Sequence, residues 1–243
     1  MLLPSPLVGG HLVRRYKRFF ADVTLDDGTV VTAHCPNTGT MHGLNAPGLR
    51  VWLSRSDNPK RKLAHTWELV EETVGKAPHF IGINPLRANK IVAEALAAQQ
   101  FDTLAGYETV RPEVRYGDNS RVDFLLSGGD RPDCYVEVKN VHLKRESGLA
   151  EFPDAVTSRG AKHLHELARM VEGGHRAVML YLVQRDDCDR FAVAADLDPA
   201  YAKALDMAVG AGVEVVCVKC RLTLTEIAAD HSIELIEPRE AAL

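Results

Sequence analysis

The sequence predicts an α/β (α+β) protein of two domains, a small all-β barrel followed by a mixed sheet with flanking helices. Three observations carry this. From His11 to about Ile83, short runs of β-branched and aromatic residues are punctuated by turn residues, with little helical periodicity. From Asn84 onward, three stretches carry apolar residues at helical spacing, and between them lie nearly continuous apolar runs of the kind that buried strands show. The charge balance changes at the same place. Residues 1–80 hold ten Lys and Arg against seven Asp and Glu, whereas residues 81–243 hold nineteen against twenty-six. The boundary is therefore set after residue 82, giving domains 1–82 and 83–243.

In the first domain, HLVRRYKRFFADVTL reads as one long strand, Asp27-Gly28 as a turn and TVVTAHC as the next strand. The polar loop PNTGTMHGLNAPG leads to RVWLSRS, a turn at Asp57-Asn58-Pro59, then KRKLAHTWELVEETV and HFIGIN. Five strands in about 70 residues suit a small closed barrel, an OB-fold above others. Such barrels bind single-stranded nucleic acid along a basic groove with aromatic platforms. The candidates here are Arg14, Arg15, Lys17 and Arg18 around Tyr16 and Phe19, with Arg55, Lys60, Arg61 and Lys62 on the later hairpin. The competing reading is an ordinary charged strand face, since lysines also guard exposed edges. Asn37 and Thr38 sit in a loop able to offer N–H groups and a hydroxyl to a phosphate. That loop lacks the spacing and lysine of a P-loop, so on its own it reads as a structural turn.

In the second domain, Asn84-Pro85 opens a helix with the apolar stripe Leu86, Ile91, Val92, Ala95 and Leu96, and Glu94 lies off its centre. YETVRPEVRYG is extended, and RVDFLLSGGDRPDCYVEVKN is a hairpin. Alternation sends Val136 and Val138 one way, Glu137 and Lys139 the other. A turn centred on Asp130 sets Asp123 opposite Glu137, with β-carbons roughly 4.5–5.5 Å apart. Two carboxylates at that separation repel unless a cation lies between them. With a lysine beside them they suit a hydrated divalent metal and a polarised phosphate. A second helix follows over 155–172, with Arg159, Lys162, His163 and Glu166 on one face, and Gly173-Gly174 ends it. RAVMLYLVQR is a buried strand ending near Gln184, Asp198-Pro199 opens a third helix to Val209, and VEVVCVKC is a late strand.

An acid on one hairpin strand, Glu-x-Lys on the next and helices on either side resemble the PD-(D/E)XK nuclease core, although Val122 rather than proline precedes Asp123. In that assignment Asp123 and Glu137, with the Val138 carbonyl, hold Mg²⁺ or Mn²⁺. Lys139 orients the attacking water or offsets charge on the phosphate, and Glu94 is a further acid. Arg159, Lys162 and His163 line the approach, with a solvated helix face as the competing reading, the favoured one for His163, and Gln184 contacts the substrate. Cys217 and Cys220 face opposite sides of a strand and have no second pair, so zinc is not expected there. Five scattered cysteines, no apolar run of about 18 residues and no basic-then-apolar leader point to the cytoplasm.

Across almost its whole length the chain also resembles the sugar fermentation stimulation protein A family of bacteria and archaea. The resemblance runs through AHCPNTGTM (33–41), INPLRAN (83–89), RVDFLL (121–126), YVEVKNVHL (135–143), FPDAVTSRGAKHLHEL (152–167), YLVQR (181–185), and DPAYAKAL with GVEVV within 198–216. It implies an OB-like domain, a nuclease-like domain, DNA binding without strong sequence preference and a link to sugar (maltose) metabolism. It also adds weight to Asn37, Thr38, Arg159 and Lys162 as nucleic-acid contacts. The expected function is a DNA-binding protein with a metal-dependent phosphodiesterase site. The alternative is a non-catalytic DNA-binding regulator of sugar metabolism on a nuclease scaffold. The DNA is single- or double-stranded, RNA is the less favoured ligand, and the oligomeric state is left open, a homodimer included.

Overall fold

The computed structural model describes residues 1–4, 6–75, 77–117 and 120–236. Six strands come first: β1 (Val8–Tyr16), β2 (Phe20–Leu25), β3 (Val30–His34), β4 (Arg50–Arg55), β5 (His65–Val74) and β6 (Ala77–Gly82). Antiparallel ladders join β3 to β2, β2 to β1, β1 to β4 and β4 to β5, and a short parallel contact between β3 and β5 closes the ring. Five strands thus make a closed OB-type barrel, and β6 extends it as a hairpin with β5. Inward residues such as Leu12, Val23, Ala33, Leu53 and Trp67 fill the barrel. The run expected as one long strand is two. The chain reverses between Tyr16 and Phe20, which pair, and Lys17 and Arg18 take left-handed φ of 49° and 63°. No Gly, Pro or Asn marks this turn, so the local sequence does not announce it.

The second domain begins with α1 (Ala88–Ala97), then β7 (Thr109–Tyr116), β8 (Ser120–Ser127), β9 (Cys134–Val141), β10 (Leu143–Glu146) and β11 (Gly148–Phe152). There follow α2 (Ser158–Glu172), β12 (Arg176–Val183), β13 (Cys188–Val193), α3 (Pro199–Gly210), β14 (Glu214–Leu222), β15 (Ile227–Ser232) and β16 (Glu234–Leu235). A six-stranded sheet runs β15-β14-β12-β9-β8-β7, parallel at its centre and antiparallel towards both edges. Strand β12 is buried on both faces, which accounts for its unbroken apolar sequence. Ile91, Val92, Ala95 and Leu96 of α1 cover one face, where Trp52 and Leu69 of the barrel join them. Leu164 and Leu167 of α2 and Tyr201 and Leu205 of α3 cover the other. Cys217 and Cys220 fall in these two different cores, as strand alternation requires.

A second sheet, β10-β11-β13-β16, has no counterpart in the sequence reading. LKRESGLAEF is short and polar, and the partner of β11 is β13, about forty residues further on, so nothing local announces the pairing. This hairpin also delays α2. The helix expected from 155 starts at Ser158, where the Thr157 hydroxyl accepts the Gly160 N–H.

The barrel is fastened to the second domain by a buried ion cluster. Arg185, 1% exposed, donates to Glu72 of β5 at 3.0 Å, to both carboxylate oxygens of Asp187 at 2.8 and 2.9 Å, and to the His142 carbonyl at 3.0 Å. On the other side of the junction, Asn37 donates to the Ile83 carbonyl at 3.1 Å and the Met41 N–H donates to Asp154 at 3.2 Å. No helix among the described residues is long and apolar enough to cross a membrane.

Candidate active site

Phe124 pairs with Val136, Leu125 with Tyr135 and Leu126 with Cys134. The hairpin is therefore centred on Asp130, and its register carries Asp123 opposite Glu137. Past Phe124 the backbone ladder stops. The Val138 N–H instead donates to Asp123 Oδ2 at 2.7 Å, and Asn89 of α1 donates Nδ2 to Oδ1 at 2.7 Å. Asp123 thus joins β8, β9 and α1 through one carboxylate.

Glu137 is 3% exposed. Its Oε1 accepts from Lys139 Nζ at 2.7 Å and from His163 Nδ1 of α2. Its Oε2 is buried with no hydrogen-bond partner. His163 Nε2 accepts from Arg159 Nε at 3.3 Å, which leaves the ring hydrogen of a neutral imidazole on Nδ1, pointing at Glu137. His163 is therefore a buried member of the site rather than part of a solvated helix face. Asp123, Glu137, Arg159, Lys162 and His163 share a cleft of about 420 Å³, along with Glu113 of β7.

The two facing carboxylates are tuned apart. Burial lifts the Asp123 pKa above its ordinary value and the Glu137 charge lifts it further, while the Val138 N–H and Asn89 offset only part. Burial also pushes Glu137 up, but the hydrogen bond from His163 and the charge of Lys139 outweigh it and hold Glu137 below its ordinary value. One carboxylate is kept ionised, and its neighbour resists ionising, first because it is buried and then because of that charge. A cation between them would relieve both the repulsion and the orphaned Oε2. The donors are carboxylate oxygens, which suit a hard divalent ion rather than zinc. Among the described residues, no group of three or more His, Cys, Asp or Glu side chains is placed to hold a metal ion as the side chains stand. A hydrated ion such as Mg²⁺, which keeps several waters, does not need such a group.

Several residues expected at the site lie elsewhere. Glu94 pairs with the Met1 ammonium at 2.7 Å, and that ammonium also donates to the Ile227 carbonyl of β15, at the far edge of the sheet from β8. Five residues separate Glu94 from Asn89, about 140° around the helix, so when Asn89 faces Asp123, Glu94 cannot. Asn89 occupies the place expected of the helix acid. Gln184 is fully buried, with Nε2 on Asn140, and is not available to a substrate.

In the barrel, Asn37 is buried and fastens its own loop, accepting the Gly39 N–H at 2.8 Å as well as reaching Ile83. Arg15 is likewise committed, donating to the Asn37 and Gly39 carbonyls, both at 2.9 Å. Each satisfies backbone groups of one tight loop, and Arg15 also borders the pocket that Arg18 and Thr38 line. Arg14 leans on Asp22 at 2.8 Å and stacks over Tyr16, but stays largely exposed. Lys17, Arg18, Thr38, Arg55, Lys60 and Lys62 are exposed, and Arg61 donates to the Thr66 hydroxyl at 2.9 Å. Arg18 and Thr38 border a pocket of about 680 Å³ that reaches Thr157, just before the helix that carries Arg159 and Lys162. Arg55 and Arg61 lie apart from it, in a groove with Asn84 and Arg87. Lys162 leans on Glu166 at 3.6 Å yet remains half-exposed.

Two family models match the chain: the SfsA N-terminal OB domain over residues 13–83 and the sugar fermentation stimulation protein RE domain over residues 86–226. A sugar fermentation stimulation protein homolog from Rhodospirillum centenum is 58% identical over 97% of this chain and 99% of its own length. The homolog from Agrobacterium fabrum is 52% identical over the full length of both. Among solved structures, that of Pyrococcus furiosus SfsA in complex with Ca²⁺ superposes with a TM-score of 0.85 over 97% of this chain and 98% of that one, at 24% identity, and so shares the fold. The chain belongs to the sugar fermentation stimulation protein family.

Proposed function

We propose that the protein binds DNA and hydrolyses its phosphodiester bonds with the help of a divalent cation, Mg²⁺ or Mn²⁺. The observation that carries this reading is the buried, partnerless Oε2 of Glu137 in a cleft shared with a second carboxylate, Asp123, with a lysine on the other oxygen. The Ca²⁺ complex of the Pyrococcus furiosus relative supports a divalent ion in this fold. Asp123 and Glu137 would hold the ion. The Val138 carbonyl would join them, since the N–H and C=O of one strand residue point the same way and this N–H meets Asp123. Such an ion supplies Lewis acidity towards the phosphate and acidifies water.

The remaining work falls to side chains. His163 and Lys139 keep Glu137 ionised at neutral pH. The Lys139 ammonium, 2.7 Å from Glu137 Oε1, would offset negative charge as it builds on the phosphoryl oxygens. Arg159 and Lys162 receive the neighbouring phosphates, and Lys17, Arg18 and Thr38 on the barrel hold the strand further out. Such contacts track the backbone and give little sequence preference.

Incubation of the purified protein with labelled single- and double-stranded DNA and Mg²⁺ or Mn²⁺ tests the reading. Cleavage that is lost with chelator and in Asp123→Asn is expected. Binding with no cleavage under either ion, or cleavage undiminished in Asp123→Asn, would refute the hydrolytic role.

A further inference from the structure

The sheet brings a third carboxylate into line with the two of the hairpin. On β7, Pro112 pairs with Phe124 and Val114 with Val122, while the pair between them, Glu113 with Asp123, is missing from the ladder. The same register that sets Asp123 opposite Glu137 on one side therefore sets Glu113 opposite Asp123 on the other. Alternation breaks at this pair, since Val122 and Phe124 on either side of Asp123 fall in the two different cores. The cleft nonetheless gathers Glu113, Asp123 and Glu137 from β7, β8 and β9.

The backbone at Glu113 supports a purpose for this placement. Its φ is 54°, left-handed, and the residue is a glutamate on a strand. A non-glycine residue there carries a steric cost that glycine would avoid. The side chain is exposed, so packing in a core does not explain why glutamate stands there. Opposite it, Glu137 is buried and its Oε2 has no partner. The Asp123 carboxylate is pinned from behind by Asn89 and Val138. The cleft thus has one rigid carboxylate at its centre, one orphaned oxygen on one side and one free carboxylate on the other.

We infer that Glu113 is the third carboxylate of the cation site, swinging in from β7 when the ion binds. This rests on the proposed cation site and adds a ligand to it. The Glu113 side chain is exposed in the structure. With the ion bound, the three acids span three strands, and the ion ties the sheet edge at β7 to the hairpin.

Mn²⁺ binding measured by calorimetry and by electron paramagnetic resonance separates this inference from its foundation. Wild type is expected to bind one Mn²⁺ and Asp123→Asn to lose it. Glu113→Gln is expected to bind it more weakly by roughly tenfold or more, the scale on which even outer-shell partners act. Glu113→Gly removes the backbone cost together with the carboxylate, so it is expected to melt at the same or a higher temperature without metal and still bind Mn²⁺ weakly. A purely structural Glu113 would leave Mn²⁺ affinity unchanged in Glu113→Gly and Glu113→Gln. That result, with wild type binding and Asp123→Asn not, overturns the inference and leaves the cation site standing. Failure of wild type to bind Mn²⁺ overturns both.

Discussion

Replacing Arg185 by Met removes the charge at the centre of the junction between barrel and sheet while keeping most of its volume. The guanidinium is buried and makes bonds to Asp187, Glu72 and the His142 carbonyl. Removing one partner of a buried ion pair costs about 3–5 kcal/mol, chiefly because the remaining charge is left uncompensated. Lys144 still contacts Asp187, and Glu72 is partly exposed, so the loss belongs at the lower end, about 3 kcal/mol. With an unfolding entropy near 2.1 cal/mol/K per residue, a 243-residue chain loses about 2 °C of Tm per kcal/mol, which gives a drop of about 6 °C at pH 7. The pH dependence has a definite sign. Burial pushes the Asp187 carboxyl up, but Arg185 and Lys144 outweigh this and hold it well below the usual carboxylate range. A lowered folded pKa gives stability that is present above the unfolded value and lost as pH falls towards the folded one, so the gap between wild type and variant narrows only in acid. Scanning calorimetry at pH 7 and in acid measures this. A Tm change below about 2 °C at pH 7, with a single sharp transition retained, would refute the idea that Arg185 fastens the two domains.

Four further outcomes concern Asp123, Glu94 and the basic residues of the barrel. Asp123 has a raised folded pKa, so its ionised form opposes folding at neutral pH; in chelator, Asp123→Asn is expected to raise Tm at pH 7, with the gain disappearing below the unfolded carboxylate pKa. Thermal melts against pH test this, and a lower Tm at pH 7 would contradict it. Glu94→Gln should lose stability through the Met1 ammonium yet leave Mn²⁺ affinity and DNA cleavage unchanged, so a tenfold loss of either would return Glu94 to the site. Lys17→Ala and Arg18→Ala are each expected to lower the salt slope of DNA binding by roughly 0.7–0.9, as fluorescence anisotropy at several salt concentrations would show. Arg15→Ala, by contrast, should act mainly on Tm, because its guanidinium holds the 37–39 loop.

The hairpin was legible because everything that defines it is local. A two-residue alternation and a turn centred on Asp130 place Asp123 against Glu137 and put Lys139 on the same face, and the register agrees. The barrel and the helices were legible for the same reason, apart from the turn at Lys17 and Arg18, which no turn residue marks. What the local pattern could not rank was residues of one type in different surroundings. Arg15 and Arg18 look alike in sequence, yet one closes a loop and the other is open to solvent. Glu94 is a better-looking acid than Asn89, and only the rotation of α1 against the sheet decides which of them meets Asp123. His163 reads as surface until α2 docks and presses its ring onto Glu137.

The two domains, the carboxylate pair with its lysine and the family are written in short-range periodicity or in motifs along the chain. The neighbours of that pair come from the packing of separate elements. The register of β7 against β8 brings Glu113 to the cleft, and the docking of α1 and α2 supplies Asn89 and His163. Those contacts join residues ten to thirty-four positions apart through the packing of separate elements, and no periodicity within a single element encodes that packing.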